Sequence, residues 1–383
     1  MSGRGRIRFY TVEPAAFCEV FPFSGEVQGG GPRYLSRGKE ACGVQQETVL
    51  SRVDGERGEV VVRGLFLQEF SRLSYEQAAA RLWHGFLEEA DPQRLRAGLG
   101  RARGAAFEAL PPVQACLQRG ELLGLIPLVA RESELSLAGA MPVLLAAVHR
   151  ASRGEDPVAP DPAAGQAQDL LRMLTGKSPA PGHARALGIY LATMAEHGMN
   201  PSTFTARLIA STGAGLVETV TGAYAALMGR LHGGAPGPVL DMLDAVGRPE
   251  RAADWVAGEL DAGRLLMGFG HRVYRVRDPR ADILKQAALD LVAPERRLLA
   301  QAVEAEALRQ LAQRKPGRTL NTNVEFYTAL LLEAVGIPRE LFTPTFGVGR
   351  VLGWIAHALE QRRTGRPLRP VAVYVGAEPQ VRE

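Results

Sequence analysis

The chain is short of lysine. Of its 45 Lys and Arg residues only four are lysine: Lys39, Lys177, Lys285 and Lys315. The basic residues are spread along the chain and the net charge is only +4, so no nucleic-acid partner is expected. Cysteine is scarce too. Cys18, Cys42 and Cys116 form no paired spacing and belong to no metal pattern, and an odd number argues against a disulfide framework. No apolar h-region lies near the start and no uninterrupted apolar run is long enough to span a bilayer. The expectation is a cytoplasmic protein with no membrane partner and no bound metal. P-loop, dinucleotide fingerprint, zincin motif and nucleophile elbow are all missing. Gly347, Gly349 and Gly353 have the wrong spacing for a dinucleotide turn and follow Pro344.

What is present is an ordinary globular composition: 383 residues, 46 % apolar and 22 % charged. That length allows a large core and two domains. Residues 1–37, rich in Gly and Arg, read as an irregular arm. Val49 and Val53 before Asp54–Gly58, and Val60 to Val62 after it, predict a hairpin within 47–66. Helical patterns dominate the rest. One runs over Tyr75–Phe86 behind Ser74. A long apolar stretch, Leu122–His149, is expected to break at Pro127 and Pro142. After a Pro- and Asp-rich connector at 153–164, helices are predicted over 166–175, 183–196, 201–211 with Asn200 as N-cap, 217–228, 239–243, 252–260, 280–291, 295–313, 324–335 and 351–361. A short strand at Val371–Val375 closes the chain. The fold is mainly α with little sheet.

Met267 to Arg280 draws the chemistry together. A Gly268-x-Gly270 turn delivers His271, and Arg272, Arg275, Arg277 and Arg280 follow. The glycines let backbone pass close to a ligand. The arginines offer forked donors for carboxylates or phosphates, or are simply solvated. Four other stretches bear on the same chemistry. His197, at a helix end, either binds an anion or caps the last carbonyls. His232, before Gly233, Gly234 and Pro236, either donates to a developing enolate oxygen or is a buried turn histidine. Glu325 is either a base or the partner of Thr322 in a capping box. Arg350 falls near the start of the helix predicted over 351–361, where an anion would also meet backbone N–H groups.

Taken in order, these stretches resemble the citrate synthase family. The matching text is Glu196 to Arg207, Leu231 to Ala235, Gly268 to Tyr274 with Asp278-Pro279-Arg280, Asn323 to Tyr327, Phe342 to Arg350, and Gly353 to His357. The likeness runs from about Gly38 to the C-terminus. It implies a citrate synthase-like, two-domain, all-helical homodimer with a small N-terminal hairpin. The large domain would take 38–224 and 323–383 and the small domain 225–322. It also implies condensation of acetyl-CoA, or a near relative such as propionyl-CoA, with oxaloacetate, and no permanently bound cofactor. His232 would bond the thioester carbonyl and residue 325 would deprotonate the acetyl methyl. His271 would polarise the keto carbonyl. His197, Arg280 and Arg350 would hold carboxylates, and Arg369 would reach the partner's site. Arg275 would lie near a CoA phosphate, and the backbone of Met267, Gly268, Phe269 and Gly270 near its adenine.

Three departures cluster on the enolisation side. Glu325 stands where the family usually has Asp, Thr322 where it has Pro, and Pro236-Gly237 where it has Asn-Glu. The readings left open are a citrate or 2-methylcitrate synthase, a condensing enzyme for another acyl-CoA or 2-oxo acid, and a non-catalytic paralogue binding dicarboxylate or CoA.

Overall fold

A computed structural model describes residues 46–88, 90–120, 122–233, 236–369 and Gly376. The arm at 1–37 and the closing strand at 371–375 lie outside the described residues. The hairpin is present. β1 (Ser51–Asp54) pairs antiparallel with β2 (Glu59–Val62), and β2 with β3 (Leu65–Phe66). Asp54 closes the turn by accepting the N–H groups of Glu56 and Arg57. Val60 and Val62 face the core, while the two residues alternating with them stay partly exposed.

Helices follow: α1 (Leu67–Phe70), α2 (Tyr75–Trp83), α3 (Pro92–Glu108), α4 (Gln114–Leu117), α5 (Leu122–Val129) and α6 (Glu134–Ser152). Next come α7 (Gln166–Thr175), α8 (Pro181–Ala195), α9 (Pro201–Ser211), α10 (Leu216–Leu227) and α11 (Pro236–Val246). The last are α12 (Ala252–Asp261), α13 (Pro279–Ala288), α14 (Pro294–Arg314), α15 (Val324–Ala334) and α16 (Phe342–Thr364). The mainly α expectation holds.

Several boundaries differ from the sequence reading. α3 was not anticipated, although Asp91 caps it and Pro92 occupies its first position. Neither expected break occurs: α5 runs through Pro127 and α6 through Pro142, and the actual gap lies between Val129 and Glu134. An interior proline costs roughly 3 kcal/mol. Here every residue from Leu137 to Val148 is buried, and that packing offsets the loss. α6 is long and apolar enough to cross a membrane, yet 67 % of that window is buried inside the protein, so packing accounts for its apolarity. α16 begins at Phe342 rather than near 351, which places Arg350 in its third turn. The backbone N–H groups at that depth are used within the helix, so the expected N-terminal anion geometry at Arg350 is not formed.

α16 is the central helix, packed against α6, α8, α9 and α10. Gly353 makes the closest approach: a Cβ there would stand 2.2 Å from the carbonyl oxygen of Ala195 at the end of α8. A smaller apolar cluster of Val256, Leu266, Ala307 and Leu311 joins α12 to α14.

Candidate active site

Two loops form the frame. Gly268 and Gly270 both have φ near +85°, a region open to glycine at little cost. Their loop is laced to the segment entering α15. Gly270 N–H donates to Asn321 O (2.7 Å), Asn323 N–H to Gly268 O (2.9 Å) and Asn323 Nδ2 to Gly270 O (2.9 Å). The backbone expected near an adenine is thus partly engaged within the protein. The far end of the loop rests on the hairpin turn, where Arg275 N–H donates to Gly55 O (2.9 Å).

Asp278 fixes the next joint. It caps α13 by accepting Arg280 N–H (3.0 Å) and grips the Arg280 guanidinium at Nε (3.0 Å) and Nη2 (2.8 Å). It also accepts Val324 N–H from α15 (3.2 Å). One buried carboxylate therefore aims Arg280 and ties it to the helix that carries Glu325. The Asp278-Pro279 pair, an N-cap before a helix-opening proline, was the sequence signal for it.

His271 accepts backbone N–H groups from Val273 (3.0 Å) and Tyr274 (3.2 Å) at Nδ1. Its neutral ring must then carry the proton on Nε2, which lies 3.3 Å from Arg280 Nη2. Burial, then the charge of Arg280, lowers its pKa to about 4. His197 does not cap the end of α8. Its buried ring bonds Tyr274 Oη at 2.6 Å. Burial, then Arg280, Arg350 and His271, hold it neutral, with a pKa well below the ordinary histidine value. Arg350 is 1 % exposed; its Nε donates to Met194 O (2.5 Å) and its guanidinium lies over the Phe346 ring. Among the described residues it has no ion-pair partner. Burial lowers its pKa to about 10 against the raising charge of Glu196, so it stays charged at neutral pH.

His232 Nε2 meets the Ser202 hydroxyl at 2.9 Å, and Trp354 Nε1–H donates to the same hydroxyl. Burial, then Arg350, lowers His232 to about 4. Pro236 is the first residue of α11, a position where its missing N–H costs nothing.

Glu325 is not in a capping box. The cap of α15 is Asn323, whose Oδ1 accepts Glu325 N–H (3.0 Å), and Thr322 instead donates its hydroxyl to Glu304 (2.7 Å). Glu325 falls one residue too early to be that box's third helical residue. Burial pushes its carboxyl up to about 7, against the lowering effect of Arg280. Such a group titrates where a general base is most effective.

The structure thus brings His197, His271, Arg280, Arg350 and, through Arg350's charge, His232 into one electrostatic neighbourhood, with Glu325 coupled to Arg280. Two expected residues stand apart in this chain. Arg275 is exposed, 3.9 Å from Glu56, and Arg369 is exposed beyond α16. Sequence reading missed Tyr274, Asp278, Asn323 and Ser202 as residues that orient this site. Among the described residues no three His, Cys, Asp or Glu side chains gather as a metal site.

The family model described as "Citrate synthase, C-terminal domain" matches residues 43–371. The chain is 52 % identical over 201 residues to the "Putative citrate synthase 2" of Mycobacterium tuberculosis, a match covering 52 % of this chain and 54 % of that relative. It spans only about half the length of those relatives. Against the citrate synthase of Haloferax volcanii it is 38 % identical over 369 residues, covering 89 % of this chain and 96 % of that one. The crystal structure of citrate synthase from Thermotoga maritima superposes with a TM-score of 0.79 at 28 % identity, over 91 % of this chain and 97 % of that one. The chain belongs to the citrate synthase family.

Proposed function

We propose that the chain is an acyltransferase that condenses acetyl-CoA with oxaloacetate and water to give citrate and free CoA. Glu325 takes a proton from the methyl group beside the thioester. His232 stabilises the enolate oxygen that results. The enolate carbon attacks the keto carbon of oxaloacetate, whose oxygen is polarised by the Nε2–H of His271. His197, Arg280 and Arg350 hold the carboxylates of this dianion. Water then cleaves the citryl thioester and releases CoA. The thioester is a co-substrate, and no resident cofactor takes part.

One observation carries this reading. Arg350 is a buried guanidinium with no ion pair among the described residues, beside Arg280 and two neutral histidines. Burying such a charge is costly unless an anion completes it, and a dicarboxylate does so. The wider reading adds a homodimer in which Arg369 reaches the partner's site. In it, Arg275 and the backbone of 267–270 meet CoA, and a cleft between 225–322 and the remainder closes over oxaloacetate.

The test is steady-state release of free CoA from acetyl-CoA and from propionyl-CoA, each with oxaloacetate, for the natural chain and for Glu325→Gln. Turnover that depends on oxaloacetate and disappears in Glu325→Gln is expected, and the preferred thioester names the product. No release from either thioester by the natural chain would overturn the proposal.

A further inference from the structure

Glu304 lies on α14, outside the site described above, and is 6 % exposed. It accepts four hydrogen bonds from side chains on four separate segments. Oε1 takes Arg277 Nη2 (3.0 Å) and the Thr322 hydroxyl (2.7 Å). Oε2 takes Lys285 Nζ (3.1 Å) and the Tyr327 hydroxyl (2.5 Å). Burial alone would raise this carboxyl, but the hydroxyl and ammonium bonds and the charge of Arg277 bring it below its ordinary value, so it is a carboxylate at neutral pH.

Each donor belongs to a segment that carries a site residue. Arg277 lies in the loop between His271 and Arg280. Lys285 is on α13, which Arg280 opens into. Thr322 precedes the cap of α15 by one residue, and Tyr327 follows Glu325 by two. On a helix, residues two apart point about 200° away from each other. Pinning Tyr327 to α14 therefore turns Glu325 away from α14, to the side where its carboxyl feels Arg280 and Asp278.

We propose that Glu304 is a positioning residue for Glu325: through Thr322 and Tyr327 it fixes the direction in which the first turn of α15 presents its carboxylate. This rests on the reading of Glu325 as the base. The Thr322 hydroxyl is the means by which a residue with a free φ is held still at the entry to α15. Removing either hydroxyl leaves one Glu304 oxygen short of a donor and frees the turn.

The experiment compares Thr322→Val, Thr322→Ser, Tyr327→Phe and the Thr322→Val/Tyr327→Phe pair with the natural chain, all checked for folding by circular dichroism. The first readout is the titration midpoint of Glu325, followed by carbon-13 NMR of carboxyl-labelled glutamate and assigned by its loss in Glu325→Gln. The second is CoA release, separated into kcat and KM. Thr322→Val and Tyr327→Phe should each move the midpoint by ~0.5 pH unit or more. Each should lower kcat about tenfold, with KM for oxaloacetate changed less than about twofold. Thr322→Ser, which keeps the hydroxyl, should restore both. A folded double variant with an unchanged midpoint would overturn the proposal. A moved midpoint in a chain that releases no CoA would keep the positioning role and remove the condensing reading instead.

Discussion

His271 and Arg280 face each other donor to donor. Two backbone N–H groups occupy Nδ1 of His271, so its proton sits on Nε2, 3.3 Å from Arg280 Nη2. Neither donor satisfies the other, and an oxygen acceptor from a ligand completes both. Asp278 fixes the guanidinium through Nε and through the same Nη2 that faces His271. Replacing His271 by Ala removes a donor aimed at developing charge and should lower kcat about 10²- to 10³-fold. Binding of oxaloacetate, followed by calorimetry, should weaken far less, because the carboxylate clamps remain. Equal losses in binding and turnover would place His271 among the ground-state contacts instead.

The pH dependence follows from Glu325. Its folded pKa is about 7, and only the carboxylate can accept a proton. kcat/KM for the free enzyme should therefore rise with pH through about 7 and fall about tenfold per unit below it. His232 and His271 titrate near 4, so they remain neutral across that window and add no second break above pH 5. A profile flat from pH 5.5 to 8.5 would show that Glu325 is not the ionising group.

Much of this architecture was legible from short-range chemistry. Asn200-Pro201 announced a helix start and Asp54 to Gly58 a turn, because caps and turns depend on neighbours in sequence; Asp278-Pro279 carries the same kind of signal, one that went unread. The histidines and arginines were legible as an ordered set of motifs. What sequence could not supply was the competition between partners. Thr322 and Glu325 have the spacing of a capping box, yet Thr322 is drawn off by Glu304, 18 positions away in sequence. Pro142 reads as a break, yet α6 continues through it because tertiary packing outweighs a local cost. Gly347, Gly349 and Gly353 were a failed nucleotide signal; Gly349 and Gly353 are where α16 meets Leu191 and Ala195 of α8, and Gly347, on another side of the helix, is where it meets Tyr224 of α10.

Gly353 gives a test of how closely α16 supports the site. A Cβ at this position would meet Ala195 O at 2.2 Å and Glu196 Oε2 at 2.8 Å. The first is helix backbone and cannot swing aside, so Gly353→Ala must push α16 away from the end of α8. The expected cost is about 1–3 kcal/mol in urea unfolding. His197 lies two residues beyond Ala195, so KM for oxaloacetate should rise as well. Unchanged stability would mean that the α8–α16 crossing has slack.

Glu325 also links stability to pH, with a sign opposite to that of a salt-bridged carboxylate. Its folded value is raised to about 7 from an ordinary value of 4.5, so the native state binds the proton more tightly than the unfolded chain does. The stability it contributes is present below about pH 4.5, is lost progressively as pH rises to 7, and stays lost above that. Glu325→Gln cannot ionise and escapes the loss. Its melting temperature, compared with that of the natural chain, should be higher by about 2 °C or more at pH 8, with the gap closing at pH 4. Other titrating groups are common to both proteins and cancel in the difference. A gap of the same size at both pH values would mean that burial at α15 does not perturb this carboxyl, and the base would then lack the tuning its position provides.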